Sequence, residues 1–277
     1  MTFKMRGLVA ARWVLAWAVL GATLAPQAVH AQVSEESAER LMRLSGQWAQ
    51  LEWLAKQMRR SLVQGLASAE SPPPAALQQR VAAVVDTAIR PQKLREVARR
   101  TVASGLRAPY LPELLRWYET PTAQKIAQAE IDDSAADRPD MKERVSAGMA
   151  VVQAATPARQ ALLARIVEAT RAPQVATDAV ISLGVAVPLA LARLVPVPQL
   201  PSEAQLRAAM NEQRAQLLQA FEVITLASAA LAYRDIADEA LAAYGNFLAS
   251  AAGQHHSHID EQSYEAAVLD GIASIQP

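Results

Sequence analysis

The sequence contains no cysteine at all. Disulfides, thiol redox chemistry, cysteine-ligated metals and lipid attachment through a thiol are therefore excluded, and packing alone must hold the fold. Aromatic residues make up only 5% and formal net charge is zero. A balanced charge provides no basic footprint for nucleic acid or for an anionic membrane surface, and scarce aromatic and β-branched residues argue against a sheet. GxSxG, Gly-rich phosphate-loop and HExxH patterns are also missing, which leaves serine-triad hydrolysis, nucleotide hydrolysis and zincin chemistry without support.

What is abundant is Ala, Leu, Gln, Arg and Glu, the composition of a helix former. Lys4, Arg6 and Arg12 precede an apolar stretch from Val14 to Leu24, and Val29-His30-Ala31 offers small residues where a signal peptidase inspects the chain. Residues 1–31 are expected to be a cleaved export signal, with Gln32 the mature N-terminus and the protein periplasmic or secreted. The apolar stretch is shorter than the roughly 20 residues a spanning helix needs.

Apolar steps of three and four from Leu41 through Leu44, Trp48, Leu51, Ala55 and Met58 to Leu62 predict one long helix, capped by Ser34 and closing near Arg59 and Arg60. Ser71 to Pro74 breaks the chain. Further helices are expected before Pro91, from Gln92 to Ser104, from Leu111 to Ala129 with an interruption at Thr120-Pro121, from Met141, and from Pro157 behind a Thr156 cap. Asp132-Asp133-Ser134 and Asp137 to Asp140 read as polar connection without the glycine or the terminal glutamate of a calcium loop. Val175 to Val197 is the most apolar segment, but Ser182, Gly184 and Pro188 interrupt it, so a kinked, buried core helix is expected rather than a membrane span. Ser202 and Gln205 form a capping box for a long helix through Leu231, and two more helices follow, at 235–249 and 261–275.

Trp117 to Gln124 is echoed in residue type by Phe247 to Gln254: a bulky pair, a hydroxyl residue to cap the next helix, then a small residue that permits close packing. This predicts an all-α array of two related multi-helix halves, 32–155 and 156–277. The first copy, Leu114-Leu115-Arg116-Trp117-Tyr118-Glu119-Thr120-Pro121-Thr122-Ala123-Gln124-Lys125, resembles the core of the secreted bacterial DUF2059 domain, with Ala123 where that family usually has glycine. The resemblance implies an exported helical domain of unknown function and carries over no catalytic residue.

Beyond the signal the only histidines are His255, His256 and His258, next to Asp260. His255 and His258 on one helix face form a weak candidate metal pair, with the alternative of a solvated helix end. Trp48, Trp53, Trp117 and Tyr118 are read as core or helix-crossing residues, and Glu113 and Glu119 have no shared-face spacing. No cofactor is expected. The leading expectation is a non-enzymatic envelope protein that binds another protein or a peptide, with no nucleic-acid partner and no membrane span in the mature chain. The alternatives are a small-molecule or lipid carrier with an apolar inter-helix cavity, and a metal-binding protein built on the histidines.

Overall fold

Ser34 caps the first helix by accepting from the Ser37 amide, and the chain then follows helical periodicity almost without pause. The computed structural model describes residues 32–67, 73–135, 141–194 and 200–276. The expected signal segment, residues 1–31, lies outside them, as do residues 68–72, 136–140, 195–199 and 277. Among the described residues there is no strand, only an isolated bridge between Gln32 and Arg107, and the architecture is the all-α array expected from composition.

The helices are α1 (Glu35–Leu44), α2 (Gln47–Ala67), α3 (Ala75–Ala88), α4 (Pro91–Gly105), α5 (Leu111–Tyr118), α6 (Pro121–Ala135), α7 (Met141–Ala154), α8 (Pro157–Ala169), α9 (Ala172–Leu191), α10 (Glu203–Glu212), α11 (Arg214–Ala232), α12 (Asp238–Ala249) and α13 (Ala251–Ala273). A 3₁₀ turn at Ala108–Tyr110 leads into α5. Thr156 and Ser202 cap α8 and α10 as their sequences predict.

Several expected boundaries are corrected. The long helix expected from Leu41 to Leu62 is two helices, because Gly46 takes φ +86°, a conformation that favours glycine, and turns the chain between α1 and α2. The second of these runs on to Ala67, so Arg59 and Arg60 lie inside it rather than at its end. Asp132, Asp133 and Ser134 are not connection but the last turns of α6. The helix expected to run from Ser202 to Leu231 breaks at Gln213. The final helix begins at Ala251, ten residues before the expected start, because Ser250 accepts from the Gly253 amide and supplies a cap.

Buried residues from Val33 to Ile275 join one hydrophobic core to which both sides of residue 156 contribute, and Ala31–Pro277 is one compact unit. At its centre α13 packs on α4, α5, α9 and α12. Gly105 of α4 faces Ile259, and Leu94 faces Gly271, so α4 and α13 run antiparallel with small residues at both ends of their contact. α9 differs from the fully buried helix that its composition suggests. It buries Pro173, Thr177, Ile181, Val185 and Ala190, while Val175, Asp178, Ala179, Ser182, Leu183, Ala186 and Leu189 border clefts. Both α9 and α11 are long and apolar enough to cross a membrane by length and composition. In this structure they pack on each other, and α11 also packs closely on α7.

The α7–α11 crossing depends on Gly148, where a Cβ would stand 2.3 Å from the Ala227 carbonyl oxygen. Gly148→Ala is expected to cost about 2 kcal/mol, as overpacking does. Gly65, on the exposed side of α2 with nothing within 4 Å of its notional Cβ, provides the contrast. There Gly→Ala is expected to add about 0.5–1 kcal/mol. Thermal denaturation of the two variants should shift in opposite directions; equal shifts would contradict the close crossing.

Candidate functional site

Two short helix-to-helix corners bring polar side chains into the middle of the fold. At the first, Thr120 Oγ1 accepts from the Ala123 amide and α5 turns directly into α6. At the second, Ser250 does the same for Gly253 between α12 and α13, where a Cβ on Gly253 would stand 2.0 Å from the Phe247 carbonyl oxygen. The corners meet through their aromatic residues. Trp117 stacks on Phe247 with ring centroids 4.6 Å apart and planes 11° apart, and Tyr118 meets Phe247 edge-on at 5.5 Å.

This packing leaves a cleft of about 520 Å³ between α2, α6, α8, α9, α11, α12 and α13. Four tyrosines, Tyr118, Tyr233, Tyr244 and Tyr264, line it together with Glu130, His256, Asp260 and Gln47. His256, Asp260 and Tyr264 follow one another at intervals of four on α13, so a single helical stripe carries all three. Glu130 comes from the same side of α6 as the cleft, and Gln47 reaches it because the Gly46 turn makes it the first residue of α2.

Glu130 accepts from Tyr233 at 2.6 Å and from Tyr244 at 3.1 Å, both at Oε1. Burial pushes its carboxyl up to about 7, partly opposed by these two bonds, while the charges of Asp260 and Asp133 act in the same direction as burial. Burial likewise pushes Asp260 up to about 8 and pulls His256 down to about 4. One ring nitrogen of His256 lies 3.2 Å from the Tyr118 hydroxyl, and the other lies 3.5 Å from Asp260 Oδ1. Oδ1 itself has no hydrogen-bond partner among the described residues. Although 26% of the Asp260 side chain is accessible, that surface lines the cleft, and the bulk of protein around it sets its protonation. The four tyrosine hydroxyls are held well above their ordinary range, chiefly by burial, and stay protonated as donors.

A second cavity of about 300 Å³ adjoins the first and is largely apolar, with Trp53, Leu54, Leu183, Val268 and Leu269 in its wall. Gln50, Val175, Ala179 and Tyr264 border both, so a polar chamber continues into an apolar one along α9 and α13.

The three histidines singled out by sequence do not act together. His255 tilts against Tyr110 at 5.2 Å and accepts from the Arg107 amide; His256 is buried in the cleft; His258 is exposed beside Glu261 and Gln262. They sit in the second turn of α13, within a helix rather than at its end. Among the described residues no three His, Cys, Asp or Glu side chains converge to hold a metal. Trp117 and Tyr118, read from sequence as core residues, are buried or half-buried, and Tyr118 also borders the cleft. Sequence reasoning missed Glu130, Tyr244, Tyr264 and Gln47. The spacing of His256, Asp260 and Tyr264 is a readable signal once Ser250 is recognised as the cap of α13.

Compared with known proteins, the chain matches no family model, no curated protein and no solved structure. The resemblance of residues 114–125 to the DUF2059 core thus rests on those residues alone.

Glu130 and Asp260 bind their protons more readily in the folded than in the unfolded chain. Their contribution favours folding below the ordinary carboxyl range and is withdrawn as pH rises through about 7 and about 8. Glu130→Gln and Asp260→Asn are therefore expected to be more stable than the parent at pH 9, on the order of 2 kcal/mol each, and close to it at pH 5. Denaturant unfolding at the two pH values measures this, and a pH-independent difference would count against buried carboxylates.

Proposed function

We propose that the chain is a binding protein for a small amphipathic molecule. Its cleft accommodates the polar end among Glu130, Asp260 and the tyrosines, and the adjoining cavity takes the apolar part along α9. The observation that carries this reading is the continuity of the two chambers through Gln50, Val175, Ala179 and Tyr264. Volumes of about 520 and 300 Å³ lie in the range of small-molecule sites, and an apolar wall with a few convergent polar groups is what such a site needs. A soluble core gains nothing from leaving Trp53, Leu54 and Val268 around a void, whereas a carrier does.

In this reading, residues 1–31 direct the protein out of the cytoplasm and the mature domain works as a periplasmic or secreted carrier without turnover. Descent of the two corners, at Thr120 and at Ser250, from one duplicated unit is supported by their matching caps and by the way their aromatic residues face each other. A protein partner is a second reading. It is favoured by α10, which buries no residue, and by Val223 on α11, which is 44% exposed. These surfaces suit delivery to, or receipt from, another envelope protein.

Ala179 is exposed toward both chambers, so Ala179→Trp should fill the passage without disturbing the core. The neutral probe N-phenyl-1-naphthylamine is expected to brighten on binding the parent protein and to lose at least tenfold in affinity with Ala179→Trp at unchanged helicity. Equal binding by both proteins would remove the cleft from the account.

A further inference from the structure

Resting on the reading of the cleft as a small-molecule site, we propose that its polar chamber selects a cation that carries N–H donors, so that the ligand is a protonated primary amine with an apolar tail.

The argument is one of charge and of unmet hydrogen bonds. The polar chamber is bordered by Glu130, Asp133, Asp260 and Glu261, and neither Lys nor Arg is among the residues lining it. Asp133 is already met by Arg144 from α7. Among the described residues Glu130 has only tyrosine hydroxyls as donors, and Asp260 has no hydrogen bond at Oδ1. His256, the one imidazole facing Asp260, is buried to 3% exposure, and burial disfavours its charged form. Glu261 lies 3.9 Å from His258, which leaves Glu130 and Asp260 as the two carboxylates of the chamber without a cationic partner among the described residues. A cavity lined by one sign of charge in a low-dielectric wall concentrates ions of the other sign.

A third acceptor points the same way independently of the acids. Gln47 is 2% exposed and lines the chamber; its Nε2 donates to Ser263 Oγ at 2.6 Å, and Ser263 Oγ donates onward to the Asp260 carbonyl. That chain fixes which end of the amide is the donor, and it leaves Gln47 Oε1 buried with no partner. A buried acceptor left unmet costs about 1–3 kcal/mol, which a ligand donor reaching it from the chamber would recover. An anion would meet like charge here, and an alcohol supplies one donor where several acceptors wait. An ammonium supplies three donors and the charge.

Isothermal titration calorimetry of the intact protein at pH 8.5 with decylamine, decanol and decanoate, each below its aggregation concentration, tests this. Decylamine is expected to bind at least tenfold more tightly than the other two. In Glu130→Gln/Asp260→Asn that advantage should fall to about twofold or less, and in Ala179→Trp all three should lose binding. Decanoate or decanol binding as tightly as decylamine, an amine advantage that survives the double substitution, or decylamine binding that survives Ala179→Trp would each overturn the cation assignment. Failure of all three probes to bind the parent protein would instead defeat the small-molecule reading on which it rests.

Discussion

Glu130 and Asp260 place two acids inside a helical array that provides them no lysine or arginine partner among the described residues. Ionised carboxylates lose several kilocalories per mole when taken out of water, and proteins ordinarily answer with an arginine, as this one does for Asp133. At Glu130 the answer is weaker: two tyrosine hydroxyls that steady the carboxyl without neutralising it. At Asp260 Oδ1 there is no hydrogen bond among the described residues. The arrangement leaves both groups poised between charged and neutral near physiological pH, at a cost to stability that the rest of the core must offset.

The surrounding fold makes that arrangement possible. Small residues bring backbones together where the structure is tight, at Gly148 against α11, Gly105 and Gly271 along the α4–α13 contact, and Gly253 at the corner before α13. Large aromatic residues hold the two corners apart at a fixed distance, with Trp117 stacked on Phe247 and Tyr244. Between the tight crossings and the aromatic wall, α9 buries one stripe fully, while Val175, Asp178, Ala179, Ser182 and Leu183 border the cleft. In the proposed function this space is the reason for the otherwise unfavourable burial of acids.

Sequence periodicity was enough for the fold class and for most helix starts, because a Ser or Thr cap and a proline at the first position act locally. Thr156-Pro157 and Ser202 with Gln205 behave as their own residues dictate. Boundaries failed where a single residue overrides a continuous apolar pattern. The break at Gly46 is invisible to the stripe from Leu41 to Leu62, and α13 was cut short because polar residues from His255 to Gln262 look like a helix end. The site was hidden for the same reason. Its groups come from α2, α5, α6, α12 and α13, far apart in sequence, and Glu130 carries no local sign that its neighbours will be Tyr233 and Tyr244. Histidines drew attention because they are rare, yet only His256 faces the cleft, and the acid four residues later matters more.

The most direct measurement of the central claim is ¹³C NMR of the carboxyl carbons through a pH titration, with Glu130→Gln and Asp260→Asn used to assign the two resonances. Midpoints near 7 for Glu130 and near 8 for Asp260 are what the buried, unpartnered geometry predicts. Midpoints in the ordinary range of about 4 would mean that water reaches both groups freely, and would contradict it.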